Sequence, residues 1–384
     1  MAGSASEFRE IEVVGAADAP DSAYALGDAL NVCLRDLVAA GAGPHHLVDM
    51  IWEGPEPQAL HPGRREIDRA WREVFAGFRA PVRVRVGQGS GVRVRARAKV
   101  PLTPPPQTPV FRGYSAVDLA RQMSPRGQVP DMLAVFRQWT RDGAAARVGH
   151  RGLDIAYGTH RECILDLYRP EGVARAPVWI FIHGGYWQAA SKDQHAQVCA
   201  GMLRAGFAVA NIDYPLAPET PLERIVEHVR DALRFLVREQ DNLGVDAGNL
   251  HIAGHSAGGH LAAMMTSDPL APPVRSALLL SGIFDVAALA PIPMGPVLGL
   301  NDGQTLRALS PIHRAPRPGA RIGVALGALE SDEFKRQSAE IAAKWGAPCV
   351  LELPGAHHFN LIDGLNGGPL LDLTLSIARD GASQ

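Results

Sequence analysis

No stretch of this chain is apolar over anything near the ~20 residues needed to cross a bilayer, and its first thirty residues hold no continuous apolar core. Neither a membrane span nor a secretory signal is therefore expected. An excess of one charge is also missing. Lys and Arg number 38 against 40 Asp and Glu, a formal net charge of −2, which gives neither nucleic acid nor an anionic membrane a reason to bind. Cysteine is scarce: Cys33, Cys163, Cys199 and Cys349 lie far apart and lack metal-ligand spacing. We read them as buried free thiols in a reducing cytoplasm, with no metal and no other cofactor called for. Internal repeats are absent as well. What remains is ordinary globular material, 46% hydrophobic and 20% charged, enough for a substantial core.

At 384 residues two domains are the better expectation. The clearest boundary is Pro101-Leu102-Thr103-Pro104-Pro105-Pro106-Gln107-Thr108-Pro109. Proline removes N–H donors and fixes φ, so this reads as an extended spacer. It divides a front domain, 1–100, from a back domain, 111–384, with 101–110 as linker.

In the front domain Leu26, Ala29, Leu30, Cys33, Leu34 and Leu37 share one face of a predicted helix over 24–40, which Gly41 and Gly43 stop. A strand follows over 46–52, then a helix over 64–78 striped by Ile67, Ala70, Trp71, Val74 and Phe75. Val82–Val86 and Val92–Ala98 alternate valine or alanine with arginine across a glycine-rich turn. This predicts a hairpin with one buried face and one cationic, solvated face. With Ala29-Leu30-Asn31-Val32-Cys33-Leu34, Ala40-Gly41 and the Val-Asp-Met-Ile-Trp strand, this order resembles the RidA/YjgF family of small α+β domains. The resemblance implies a trimer-forming domain and puts Arg79 nearest the arginine that holds a substrate carboxylate in members that deaminate enamines and imines. Their final-strand glutamate is replaced here by Arg93, Arg95 and Arg97, and their opening strand and Ser-Gly-Gln are not found. Homo-oligomer formation through this domain is the expectation, and a second, deaminase activity the alternative.

Behind the linker, strands alternate with helices, which predicts a mostly parallel sheet covered on both faces. Leu153–Tyr157 and Glu162–Leu167 form its opening hairpin. The strand Val178–Ile182 runs into His183-Gly184-Gly185, and Leu250-His251-Ile252-Ala253 runs into Gly254-His255-Ser256-Ala257-Gly258. Glycines around Ser256 permit a turn tight enough to push the hydroxyl out of the sheet, at an exposed elbow. Serine is a poor nucleophile until a base takes its proton. His357 and His358 follow the last strand, and Glu330 follows the strand before it. Loops at the carboxyl ends of parallel strands converge on one rim, so Ser256, Glu330 and either His357 or His358 can meet in the chain order α/β-hydrolases use. Asp285, behind Ser281-Gly282, stays open as an alternative acid. An oxyanion needs N–H donors, and Ala257 with Gly184 and Gly185 can supply them. His183 reads as an organiser of its loop, Tyr186, Trp187 and Phe359 as a substrate wall, with plain core residues the alternative.

His183-Gly184-Gly185-Tyr186-Trp187, Gly254-His255-Ser256-Ala257-Gly258-Gly259-His260-Leu261 and Glu330-Ser331-Asp332-Glu333-Phe334-Lys335-Arg336-Gln337-Ser338 resemble kynurenine formamidases (arylformamidases) of the α/β-hydrolase type. Tyr157-Gly158, Leu165–Pro170 and Tyr214-Pro215-Leu216-Ala217-Pro218 fit the same family, over residues 111–375. The resemblance implies Ser256 as nucleophile, His358 as base and Glu330 as acid, acting on a small aryl amide or ester such as N-formylkynurenine. A broad carboxylesterase, or a hydrolase-like binding module that has lost its chemistry, are the competing expectations. A metal-dependent formamidase signature matches only at Gly158-Thr159-His160, with Ala156 and Glu162 where His and Asp belong, and is set aside.

Overall fold

Alternating valines and alanines in the front part of the chain, and strands alternating with helices in the longer remainder, give two separate sheets. The computed structural model describes residues 8–19, 21–61, 65–75, 78–102, 107–129 and 131–379. It divides into two compact units, 1–109 with 131–136, and 110–130 with 137–384. Within the predicted linker, 103–106 lie outside the described residues, while strand character continues to Pro101.

The front unit holds β1 (Phe8–Ala17), β2 (Leu47–Gly54), β3 (Val82–Val86) and β4 (Val92–Pro101), in the order β1-β4-β2-β3. Helices Ser22–Ala39 and Arg65–Phe75 supply its apolar stripes, and Leu26, Leu30, Trp52 and Phe75 are almost wholly buried in its core. Two expectations are corrected. An opening strand is present: β1 pairs antiparallel with β4 along ten residue pairs, Phe8↔Pro101 to Ala17↔Val92. And β3 and β4 do not form a hairpin. They flank β2 on opposite sides, β3 parallel to it and β4 antiparallel. The turn between them crosses the end of β2, where Gly87 N–H donates to Gly54 O at 2.9 Å. A Cβ on Gly87 would lie 2.9 Å from the Gly54 nitrogen, so glycine permits this crossing. Alternation fixes which face each residue takes, not which strand lies alongside. The face pattern itself is as read: Val92, Val94, Ala96 and Ala98 are buried, Arg93, Arg95, Arg97 and Lys99 exposed. The cationic row is largely neutralised across strands, by Glu12 against Arg95 at 3.2 Å, Glu10 against Lys99 at 3.3 Å, and Asp49 against Arg97.

The second unit is built on eight strands: β5 (Ile155–Ala156), β6 (Ile164–Tyr168), β7 (Ala176–Ile182), β8 (Ala208–Ile212), β9 (Val245–His255), β10 (Ser276–Leu280), β11 (Arg321–Gly327) and β12 (Val350–Leu353). Their order is β12-β11-β10-β9-β7-β8-β6-β5. All neighbours from β12 to β8 are parallel; β6 joins β8, and β5 joins β6, antiparallel. This is the α/β-hydrolase fold, with helices on both faces of the sheet. Helix Leu222–Arg238 buries Leu222, Ile225, Val226, Val229, Leu233 and Leu236 as the 3.6-residue pattern requires. The helix expected over 194–203 is instead a tight 3₁₀ segment, Lys192–Cys199, leading into a short helix, Ala200–Arg204. Helices Ala116–Gln122 and Met132–Arg147 were not foreseen. Of the cysteines, Cys33, Cys163 and Cys199 are buried, whereas Cys349 is exposed. No helix of the described residues is long and apolar enough to cross a membrane.

Candidate active site

Because β7, β9, β10, β11 and β12 run parallel, their carboxyl ends open onto one rim, and every candidate group of the second unit stands just past one of those ends. The apolar strand β9 ends at His255. Ser256 then takes φ 57°, ψ −119° and caps helix Ala257–Ser267. A serine in that left-handed region is strained. It is held there by its own N–H donating to Leu280 O at 2.8 Å and by the tightness of the turn: a Cβ at Gly254 would lie 2.0 Å from Gly258 O, and one at Gly258 2.0 Å from Ile182 O. The elbow is buried rather than exposed. Ser256 is 2% accessible, and Gly184 in the loop after β7 packs against it.

Past β12, His358 is 2% exposed, and its Nδ1 donates to Glu330 Oε2 at 2.7 Å. With the Nδ1 proton committed to a carboxylate, the neutral ring keeps a lone pair on Nε2. Glu330 lies three residues past β11, and its other oxygen accepts from Ser281 Oγ and, at 3.2 Å, from Gly327 N–H. Burial pushes the Glu330 carboxyl up, but attraction to His358 and the hydrogen bonds from His358, Ser281 and Gly327 outweigh it and hold it below the usual carboxylate range. Asp285, the alternative acid, is elsewhere: it accepts from Ala287 N–H at 3.2 Å and stands 3.9 Å from Arg336. His357 is engaged by the backbone N–H groups of Phe359 and Asn360, at 3.1 and 3.3 Å.

Past β7, the N–H groups of Gly184 and Gly185 donate to no acceptor among the described residues. Ala257 N–H, first in its helix, has none by construction. Gly184 abuts the elbow, since a Cβ there would lie 3.0 Å from Ser256 Cβ. His183 organises this loop: it stacks on Tyr214 with centroids 4.4 Å apart, and its Nε2 is 3.2 Å from Asp213 Oδ1. Tyr214 Oη in turn donates to His183 O at 2.9 Å.

The expected substrate wall divides. Phe359 packs edge-on to His358, centroids 5.2 Å apart, and Tyr186 is half-buried with its hydroxyl donating to Met123 O. Trp187 takes the core alternative: it has no exposed surface and packs against His260, centroids 5.0 Å apart at 90°. In the front unit, Arg79 lies over the Trp71 ring, 5.4 Å from its centroid, and 4.0 Å from Asp68. Among the described residues no group of three or more His, Cys, Asp or Glu is placed to hold a metal ion.

Ser281, Gly327, His255 and Asp213 escaped the sequence reading. Ser281 and Asp213 carried a signal, each a polar residue directly past a buried strand; Gly327 and His255 act through contacts that no local pattern encodes.

The BD-FAE family model matches residues 165–269. The kynurenine formamidase of Salmo salar is 28% identical over 65% of this chain and 92% of its own length, and that of Danio rerio 29% over 56% and 77%. The carboxylic ester hydrolase LipN of Mycobacterium tuberculosis is 37% identical over 26% of this chain and 27% of its own. Among solved structures, a provisionally assigned thioesterase from Silicibacter sp. tm1040 superposes with a TM-score of 0.60 at 27% identity, covering 67% of this chain and 97% of that one. A hyperthermophilic esterase of Pyrobaculum calidifontis shares the fold, with a TM-score of 0.50 at 21% identity over 68% and 96%. By its fold and these relatives, the chain is an α/β-hydrolase, an enzyme acting on amide or ester bonds.

Proposed function

We propose that this enzyme removes a small, formyl-type acyl group from an aryl amide or ester by a Ser256–His358–Glu330 triad. The observation that carries this reading is the 2.7 Å contact between buried Glu330 and His358 on the rim where Ser256 forms its strained elbow. His358 Nε2 takes the proton of Ser256 Oγ as the oxygen attacks the acyl carbon, then delivers it to the leaving nitrogen or oxygen; water repeats the cycle on the acyl-enzyme. Glu330 fixes the ring's tautomer and stabilises the imidazolium. The N–H groups of Ala257 with Gly184 and Gly185 receive the oxyanion, where losing one donor costs about 2.7–4 kcal/mol. Formyl as the acyl group rests on likeness to the kynurenine formamidases, broad esterase activity on likeness to LipN.

Ser256→Ala is expected to abolish turnover with folding intact, and a serine-directed phosphonate to label Ser256. Near-normal activity in that variant overturns the triad. A higher kcat/KM for N-formylkynurenine than for phenyl acetate selects the formamidase reading; the reverse selects the esterase. For the front unit we propose homo-oligomer formation rather than deamination, since Arg79 already faces Asp68 and the Trp71 ring. Sedimentation of the full chain as a monomer, or ammonia release from 2-aminoacrylate that Arg79→Ala stops, overturns this.

A further inference from the structure

His255 is not part of the triad, yet it adjoins the elbow, the base loop and the loop of Gly184. It precedes Ser256, is 2% exposed, and its Nε2 lies 2.8 Å from the backbone oxygen of His358. A carbonyl only accepts, so Nε2 carries the proton and the neutral ring leaves Nδ1 bare. That Nδ1 is buried without a partner among the described residues, and a Cβ on Gly184 would lie 3.2 Å from it. The imidazole therefore fills the space between the base loop and the oxyanion loop, while its backbone belongs to the elbow. Other hydrogen bonds of the base loop run to the acid loop, as from Leu329 N–H to Ala356 O at 3.0 Å. The bond from His255 joins it to the nucleophile's own strand.

We propose that His255 is a positioning residue that sets the distance between Ser256 and His358, by donating Nε2–H to the His358 carbonyl from the position next to the nucleophile. This rests on the triad reading above. The base is then held twice, through its ring by Glu330 and through its main chain by His255. The donor has to be neutral, because the two rings are 4.7 Å apart and His358 gains positive charge in each transition state. Burial, with His358 and His195 nearby, disfavours the charged form of His255. Lysine or arginine would donate as well but would oppose that imidazolium.

The test compares His255→Phe, which keeps a ring and loses the donor, with His255→Gln, whose side-chain N–H reaches about as far. Both the pH dependence of 4-nitrophenyl acetate hydrolysis and the rate of Ser256 labelling by a fluorophosphonate are followed in the full chain. The expected result for His255→Phe is a ~10–100-fold lower kcat and labelling rate, with KM little changed and the acid limb of the pH profile displaced. His255→Gln recovers most of both rates. Equal losses in the two variants, or a loss that follows only the folded fraction without moving the pH profile, overturn the proposal. If Ser256→Ala is inactive while His255→Phe matches the parent, this inference alone fails; if Ser256→Ala stays active, the triad itself fails.

Discussion

Asp213 Oδ1 stands 3.2 Å from His183 Nε2 and also accepts the backbone N–H of Lys192 at 2.6 Å. One carboxylate oxygen thus pins both ends of the loop that carries Gly184, Gly185 and Tyr186. Asp213→Ala frees both ends, and the proposed oxyanion donors lose their fixed position. We expect kcat to fall ~10–100-fold with little change in KM, since oxyanion donors act mainly in the transition state. Asp213→Asn keeps an acceptor oxygen and should lose less. Steady-state kinetics on the two variants decide it.

Carboxylate roles separate by substitution. Glu330→Gln leaves the shape and removes the charge that fixes the His358 tautomer, and a loss of about 10⁴ in kcat is expected by analogy with other triads. Asp285→Asn should stay near the parent, because Asp285 caps a 3₁₀ turn. Ser281→Ala removes one of the contacts on Glu330 and should cost about tenfold, a single charge-assisted hydrogen bond. His358→Ala should be far worse than His357→Ala. A larger effect at Asp285 than at Glu330 would reassign the acid.

Stability has a different centre. Lys192 Nζ contacts Asp166 at 2.8 Å, with neither side chain exposed, and also Asp154 at 2.7 Å and Asp193 at 2.8 Å. Lys192→Met strands Asp166 in the interior, which typically costs about 3–5 kcal/mol; Arg147, 3.0 Å from Asp166, should hold the loss to the lower end. Asp154, whose side chain is 56% exposed, is screened by water, and Asp154→Ala should cost less than ~1 kcal/mol. Denaturant titration of both variants measures the difference.

Acid should destabilise the protein through its buried histidines. Burial lowers His260 from 6.5 to about 4, despite its hydrogen bond to Leu309 O, and burial with His183 nearby lowers His195 from 6.5 to about 3. Between those values the unfolded chain binds protons that the folded one refuses. Stability is therefore complete above about 6.5 and declines as pH falls towards 4. His260→Gln should flatten part of that decline in melting temperature against pH. An unchanged slope would show that His260 does not set it.

The chain's own order of residues determined what is local: the strand–turn–helix around Ser256, the glycines that let it turn, the helical stripes at Leu26–Leu37 and Leu222–Leu236, and the two-sided strand at Val92–Ala98. Each follows from backbone geometry and side-chain periodicity within a few residues. It also supplied Glu330 and the His357–His358 pair as candidates, because polar groups past its strands stand where a parallel sheet opens. Only the tertiary structure decided which groups touch. β2 lies between β3 and β4 because alternation names faces and not partners. Trp187 packs on His260 in the core, a partner distant in sequence that no local pattern names. Ser281, His255 and Asp213 act through hydrogen bonds between segments distant in sequence, and those distances are set by how the sheet packs.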